Sequence, residues 1–223
     1  MPIFLRNISI KGIKNLCNEV ELVFSKKEIN SFSELESYNI KAIYGANGSG
    51  KTALVHAFDV LKNMITTNGY LYDSDNAKYL FELMNKVCKS IEVKADFFVA
   101  NESEKPEIYN YEMKIAYKNS SFEIAYEKYA KKINEYAKEK IIIECANGEF
   151  LKYNLETSLK NKFTNLLKKR SFAEIFLELY IKSFDKNEKI DNYFGSSLKV
   201  MEPLYDFVFG TRVILDAKDD HYP

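Results

Sequence analysis

Apolar and polar residues near the N-terminus alternate with the period of a β-strand. Apolar side chains at every second position predict a strand over residues 3–10, and the break in this spacing at Arg6 and Asn7 predicts a switch of sheet face. The alternation resumes over residues 19–24. A turn at residues 11–15 is predicted to join the two segments into a β-hairpin.

The next apolar segment changes its period within a few residues. A short strand is predicted over residues 39–44, after a polar stretch, and it ends on Gly45. From Lys51 onward the spacing is that of one helix face, with apolar side chains at Leu54, Phe58, Leu61 and Ile65. We therefore predict a strand, a glycine-containing loop and an amphipathic helix in direct succession.

Strand patterns dominate the middle of the chain, and helical patterns follow. A short helix is predicted over residues 79–87. Strand spacing then occurs at residues 91–99, 109–117, 121–126 and 140–145. Residues 127–140 are predicted to be a charged face or loop. Helical spacing returns near residue 157, and Pro203 must begin or kink a last helix. The pattern predicts an α/β chain with an antiparallel β meander and a helical C-terminal region.

Charge and composition narrow the classes of partner. The 32 basic residues balance the 32 acidic residues, so no overall field would attract nucleic acid or an acidic membrane. No apolar run approaches the roughly 20 residues of a membrane span. The N-terminus also lacks the pattern of a signal peptide. These features predict a cytoplasmic protein with no membrane partner.

The three cysteines give no sign of a structural framework in the sequence. Cys17, Cys88 and Cys145 are odd in number and widely spaced, and no CxxC pair occurs. This spacing favours neither a disulfide framework nor a zinc site. All three are predicted to be structural residues.

One motif carries recognisable chemistry. The loop between the predicted strand and helix matches G-x-x-x-x-G-K-[ST] at every fixed position. Such a loop curls around phosphate groups, and its glycines allow positive φ angles. The start of the helix favours an anion as well. The predicted nucleotide-binding residues are Gly45, Ala46, Asn47, Gly48, Ser49, Gly50, Lys51 and Thr52.

Two side chains of this loop have predicted roles. Lys51 is predicted to reach the β- and γ-phosphates and to act as the catalytic residue, and the Thr52 hydroxyl is predicted to bind Mg²⁺. The predicted cofactors are therefore ATP and Mg²⁺. A GTPase is disfavoured because no N-K-x-D segment occurs in the chain. A small-molecule kinase is disfavoured because the chain has only three arginines, Arg6, Arg170 and Arg212.

The residues around the loop resemble a particular family. Residues 40–52 read Ile-Lys-Ala-Ile-Tyr-Gly-Ala-Asn-Gly-Ser-Gly-Lys-Thr, which is similar to the G-x-N-G-S-G-K-[ST] form of ABC-type ATPases. Residues 8–16, followed by the strand at 19–24, resemble the opening of the RecF/SMC branch and its OLD-like relatives. The resemblance implies a P-loop NTPase core. It also implies an ATP-bound dimer of two ATPase heads.

The chain departs from this family after the loop. The resemblance implies a Q-loop glutamine, an LSxG-type signature and a Walker B Asp-Glu pair, but the chain contains no glutamine and no Leu-Ser-x-Gly. Asp216 ends an apolar run as a Walker B aspartate would, yet Ala217 stands where the glutamate belongs. Glu144 is a poorer candidate. We therefore expect the N-terminal part of an ATPase head, completed by a longer chain or a separate subunit.

The expected organisation follows from this interpretation. Residues 1–223 form a single partial ATPase head in which residues 1–66 are the nucleotide-binding α/β core, 67–156 a β-rich subdomain and 157–223 a mainly helical region. The expected function is ATP binding, with hydrolysis once the missing elements are supplied. The resemblance implies a DNA-linked or phage-defence role, with a second copy, a complementary ATPase half, DNA or an effector nuclease as partner. The alternative is a non-hydrolysing regulatory module or split-ATPase subunit.

Several weaker candidates stay open to both interpretations. Lys11 and Lys14 lie in the predicted hairpin turn, where they would either approach the nucleotide or face solvent. A basic cluster would either contact nucleic-acid phosphates or be a solvated helix face, and it comprises Lys160, Lys162, Lys168, Lys169 and Arg170. His56 is predicted to be an outward-facing polar residue of the loop helix.

Overall fold

The chain folds as a mixed α/β protein. The computed structural model describes residues 2–25, 29–36, 42–46, 48–100, 105–134, 136–155, 166–167, 169–184 and 199–211. Within these ranges the α/β class and the antiparallel meander are confirmed. None of the helices in the described ranges has the length and apolar character that crossing a membrane requires.

A seven-stranded antiparallel sheet forms the centre of the molecule. Its spatial order is β2-β1-β3-β4-β5-β6-β7. Strands β3 to β7 follow one another in sequence order, and β1 lies between β2 and β3. The strands are β1 (Ile3–Lys11), β2 (Val20–Val23), β3 (Ser90–Val99), β4 (Glu107–Lys118), β5 (Ser121–Lys132), β6 (Lys140–Ala146) and β7 (Glu149–Tyr153).

The predicted switch of face in β1 is confirmed as a bulge. The register between β1 and β3 shifts between Leu5 and Asn7. Ile3 and Leu5 pack against the same main core as Ile8 and Ile10, although the two pairs have opposite parity along the strand. A bulge inserts one extra residue, which is what allows both pairs to face the same side of the sheet.

Five helices occur in the described ranges: α1 (Phe32–Glu36), α2 (Lys51–Thr66), α3 (Ser74–Leu83), α4 (Phe172–Phe184) and α5 (Glu202–Gly210). Helix α2 shares the main hydrophobic core with the sheet and contacts α4 and α5. Pro203 lies in the first turn of α5, so it begins this helix.

The predicted apolar face of α2 is buried at Leu54, Leu61 and Ile65, whereas Phe58 is half-buried. The buried side chains are Ala53, Leu54, Ala57, Val60, Leu61, Met64 and Ile65. These positions recur at the three- and four-residue steps of one helix face. The stripe fixes the helix over the sheet and thereby places its N-terminus beside the β1–β2 hairpin.

A smaller core lies apart from the main one. Ile29 and Leu35, next to and within α1, pack with Phe98 of β3 and Ile108 of β4. Phe98 alternates with the main-core residue Phe97, so this cluster covers the opposite face of the sheet at one end. The sequence analysis predicted no helix in this segment.

Three predicted elements differ from the structure. Residues 42–44 of the predicted strand at 39–44 form neither strand nor helix, and Tyr44 is 91% exposed, whereas residues 39–41 lie outside the described part. Helix α3 begins at Ser74 because Asp73 accepts hydrogen bonds from the backbone N–H groups of Asp75 and Asn76. Strand β5 continues to Lys132, so a charged loop is the wrong assignment for residues 127–132.

One glutamate of the extended β5 is buried in the core at the start of α4. Glu127 is 1% exposed and accepts hydrogen bonds from the Tyr111 and Ser171 hydroxyls, at 2.5 and 2.7 Å. The backbone N–H of Phe172 also donates to it at 2.8 Å. Burial raises the pKa of Glu127 to about 7, and its hydrogen bonds only partly oppose this shift. The carboxyl group therefore caps α4 from a neighbouring strand.

This raised pKa predicts a loss of stability with rising pH. The folded-state pKa of about 7 lies above the ordinary value of 4.5. The stability contributed by protonated Glu127 is therefore present below about pH 4.5 and is lost as the pH rises through about 7. Between these limits the free energy of unfolding should fall by on the order of 3 kcal/mol more in the wild type than in Glu127→Gln.

Urea unfolding of the wild type, Glu127→Gln and the control Glu123→Gln across this pH range measures the difference. Glu123 lies on the same strand but is only half-buried. Equal pH dependence in the wild type and Glu127→Gln would contradict the assignment.

Candidate functional site

The predicted phosphate loop joins residues 42–44 to the first turn of α2. Ser49 N–H donates to the Ala46 carbonyl at 3.2 Å, which closes a turn, and Lys51 and Thr52 begin the helix. The structure therefore keeps the predicted site residues together as one loop and helix start. Asn47 lies outside the described residues.

Two glycines give the loop its curvature. Gly48 has a φ of +79° and Gly50 a φ of +94°, both in the left-handed region that L side chains rarely adopt. Gly50 is the N-cap of α2 and has no side chain that could cap the helix. The backbone N–H groups of the first turn of α2 therefore receive no hydrogen bond acceptor from a side chain at the N-cap. Such N–H groups at the start of a helix favour an anion.

The Lys51 side chain folds back over the loop. Its ammonium nitrogen donates to the Gly45 carbonyl at 2.6 Å and to the Ala46 carbonyl at 2.8 Å. The Lys51 ammonium group is thereby held beside the turn at the start of the helix. A phosphate group bound there would accept charge-assisted hydrogen bonds from it. Thr52, half-buried in the first turn of α2, contributes a hydroxyl oxygen from the same helix start.

The β1–β2 turn supports the loop from the other side. The Asn15 side-chain amide donates to the Gly48 carbonyl. Leu16 packs so closely on Gly50 that a Cβ atom there would lie 2.9 Å from Leu16 Cδ2. The turn and the loop therefore fit each other through one hydrogen bond and one close apolar contact.

The same turn is anchored to the end of α3. Lys14 N–H donates to the Leu83 carbonyl at 2.6 Å, and Asn85 N–H donates to the Gly12 carbonyl at 2.8 Å. The Asn85 side chain adds a hydrogen bond to the Lys14 carbonyl at 2.8 Å. Because three hydrogen bonds hold it, the turn offers the loop a fixed support.

A cleft of about 210 Å³ opens between the hairpin and the loop. Its walls are mostly apolar and include Ile10, Leu16, Leu22, Tyr44 and Leu54, with Gly45 and Lys51 at the loop side. An apolar cleft beside the predicted phosphate loop suits a molecule with an apolar part and a charged part.

The weaker candidates lie in other surroundings. The Lys11 ammonium lies 3.8 Å from the Glu92 carboxylate, and Lys169 donates to the Phe122 carbonyl at 2.9 Å. Arg170 binds Glu174 and Glu178 at 2.8 and 2.7 Å. These contacts hold Lys169 and Arg170 within the molecule, which disfavours the nucleic-acid interpretation for this part of the basic cluster.

Other predicted residues cannot be placed at the loop. Lys160, Lys162, Lys168, Asp216 and Ala217 lie outside the described residues. Glu144, on β6, accepts a hydrogen bond from the Tyr126 hydroxyl at 2.9 Å and lies 3.9 Å from the Lys152 ammonium. Both contacts of Glu144 are therefore with side chains of the neighbouring strands.

His56 takes part in a hydrogen-bonded chain between α2 and α3. Its Nδ1 lies 2.8 Å from the Tyr79 hydroxyl, which donates to the Asp59 carboxylate at 3.0 Å. His56 is half-buried and contacts Tyr79, which is 23 positions away in the sequence. It therefore does not simply face outward, as the sequence analysis predicted. These hydrogen bonds connect α2 to α3.

Comparisons with models of known protein families and with curated proteins return no match to this chain. The family resemblance consequently rests on the loop motif and the opening of the chain. The sequence analysis did not predict the support that Asn15 and Leu16 give the loop, although both residues lie in the segment that carried the resemblance.

The two glycines predict different costs of substitution. Gly48→Ala should lower the free energy of unfolding by about 1–2 kcal/mol, which is the cost of placing an L residue in the left-handed region. No steric cost is added, because a Cβ at Gly48 meets no atom of the described chain within 4 Å. Gly50→Ala should cost more, since its Cβ also displaces Leu16.

Urea unfolding measures both costs against the control Gly210→Ala. Gly210, the last residue of α5, has no positive φ and open space around its Cβ position. If Gly50→Ala costs no more than Gly48→Ala, the close contact with Leu16 is wrong.

Proposed function

We propose that this protein binds ATP with Mg²⁺ at the loop Gly45, Ala46, Asn47, Gly48, Ser49, Gly50, Lys51 and Thr52. The observation that carries the proposal is the position of Lys51. Its ammonium group lies against the loop carbonyls of Gly45 and Ala46, directly at the start of a helix. A complete phosphate-loop motif with its lysine folded onto a glycine-bent loop favours a polyphosphate ligand.

The residues present fit a magnesium–triphosphate complex. Mg²⁺ prefers oxygen ligands and usually takes few of them from the protein, with substrate phosphates and water supplying the rest. Thr52 offers one hydroxyl oxygen for this purpose. Lys51 would move from the loop carbonyls to the β- and γ-phosphates and offset their charge.

The cleft beside the loop supports a nucleoside triphosphate over inorganic polyphosphate. Its apolar walls from the hairpin lie next to the loop, so a base could bury its ring there while the phosphates meet the helix start. The proposed order along the ligand is base in the cleft, phosphates at the loop and metal beside Thr52.

The wider role follows the resemblance to ABC-type ATPase heads. A hairpin before the loop, a helix after it and an antiparallel meander are in keeping with such a head. P-loop cores usually contain a parallel sheet, whereas the described strands are all antiparallel, so the P-loop NTPase core is itself part of the proposal. Hydrolysis would need Walker B and signature elements from elsewhere, in a dimer with a DNA-linked or phage-defence role.

A second candidate function is ATP binding without hydrolysis. It is favoured by the missing glutamine and signature motif and by Ala217, which stands where a catalytic glutamate is expected. In this case the chain is a regulatory module or one subunit of a split ATPase, and ATP controls its assembly with a complete partner.

Substitution of Lys51 tests the binding proposal. Lys51→Ala should weaken binding of a non-hydrolysable ATP analogue at least about tenfold to a hundredfold, because each charge-assisted contact contributes roughly 1.5–3 kcal/mol. Isothermal titration calorimetry in the presence of Mg²⁺ measures the affinity.

The matched control is Lys78→Ala, which removes an exposed lysine from α3. It should bind as the wild type does. Equal affinity in the wild type and Lys51→Ala would overturn the proposal.

Turnover by the isolated chain tests the second candidate function. We expect the isolated chain to release phosphate from radiolabelled ATP at little more than the rate of Lys51→Ala, with or without DNA, because Ala217 stands where the glutamate that would activate water is expected. Turnover well above that background would contradict the non-hydrolysing module and favour a self-sufficient ATPase.

A further inference from the structure

Two cysteines that are distant in sequence lie together beside the phosphate loop. Cys17 follows the β1–β2 turn, and Cys88 lies between α3 and β3. Their Sγ atoms are 2.6 Å apart, and the Cys88 thiol also lies 3.4 Å from the Cys17 carbonyl. Both cysteines are free thiols, and the sequence analysis did not predict that they lie together.

We propose that Cys17 and Cys88 are a redox modification site at which an intramolecular disulfide fastens the β1–β2 turn to the segment after α3. A disulfide bond is about 2.05 Å long, so the two sulfur atoms need to approach by only about half an ångström. This inference does not depend on whether the loop binds ATP.

The backbone around the two thiols is already held in place. The hydrogen bonds of Lys14 with Leu83 and of Asn85 with Gly12 join the two segments only a few residues from the cysteines. The Asn85 side chain also accepts a hydrogen bond from Cys88 N–H at 3.2 Å. Disulfides form where geometry is already favourable, so little backbone movement opposes this one.

Exposure distinguishes this pair from the third cysteine. Cys17 and Cys88 are partly exposed, whereas Cys145 is buried in the core. Burial raises the pKa of the Cys145 thiol, which keeps it from forming the reactive thiolate. The hydrogen bond between the Cys88 and Cys17 thiols raises the pKa of Cys88, so oxidation should become faster as the pH rises.

The reaction balances with a small-molecule disulfide such as oxidised glutathione. One cysteine thiolate attacks a glutathione sulfur and expels one glutathione thiolate, which leaves a mixed disulfide. The second cysteine then attacks the protein sulfur of that mixed disulfide and expels the second glutathione. The protein loses two electrons and two protons, and oxidised glutathione is reduced to two thiols.

The disulfide would act on the loop through the turn. Asn15 donates to the Gly48 carbonyl, and Leu16 packs on Gly50, immediately before Cys17. Fastening Cys17 to the segment after α3 restrains these two contacts. The oxidised protein should therefore hold the loop more rigidly than the reduced protein.

The test treats the full chain with oxidised glutathione and counts thiols under denaturing conditions. The wild type should fall from three free thiols to one, stay a monomer on a non-reducing gel and yield one cross-linked peptide pair containing Cys17 and Cys88. Cys145→Ser should form the same cross-link. Cys17→Ser and Cys88→Ser should form none and instead carry glutathione on the remaining partner.

Hydrogen exchange of the oxidised and reduced wild type measures the effect on the loop. Amides of the turn and of residues 48–50 should exchange more slowly after oxidation. Three free thiols after treatment, stable mixed disulfides in the wild type, or a cross-link through Cys145 would overturn the site. A Cys17–Cys88 disulfide with unchanged exchange would overturn its action on the loop.

Discussion

The burial of one face of α2 is the constraint on which the candidate site depends. Ala53, Ala57 and Val60 are almost fully buried between the sheet and the C-terminal helices. A helix fixed along such a stripe can neither rotate nor slide without exposing apolar surface. Its first turn, with Lys51 and Thr52, is therefore held in a defined place beside the hairpin.

The hairpin completes this arrangement from the opposite side. Its turn contacts the loop through Asn15 and Leu16 and is itself hydrogen-bonded to the end of α3. The loop thus lies between a packed helix and an anchored turn. Preorganised backbone groups bind an anion at a smaller entropic cost than groups that must first be ordered. The redox pair lies in this same anchor, which connects the proposed modification to the loop.

Local pattern was sufficient for the elements whose hydrophobic period is unambiguous. The hairpin, the bulge at residues 6–7, the helix α2 and the meander all follow from two-residue or helical spacing. The phosphate loop was predicted from a motif whose residues are contiguous. These features share one property: the residues that determine them are close together in the sequence.

The remaining features depend on contacts between distant residues. Glu127 looks like one more charge of a polar run, but on an extended β5 it alternates inward with Tyr129 and meets α4. Cys17 and Cys88 meet only because the β1–β2 turn packs on the end of α3. The strand expected before Gly45 was inferred from the apolar pattern of residues 39–44, yet no described strand pairs with residues 42–44.

The most direct test of the account is a crystal structure of the protein with Mg²⁺ and a non-cleavable ATP analogue. The account predicts phosphate density at the start of α2, with the Lys51 ammonium moved from the Gly45 and Ala46 carbonyls to the β- and γ-phosphates and the metal beside the Thr52 hydroxyl. A ligand bound elsewhere, or a loop that keeps Lys51 on its carbonyls while ligand is bound, would contradict it.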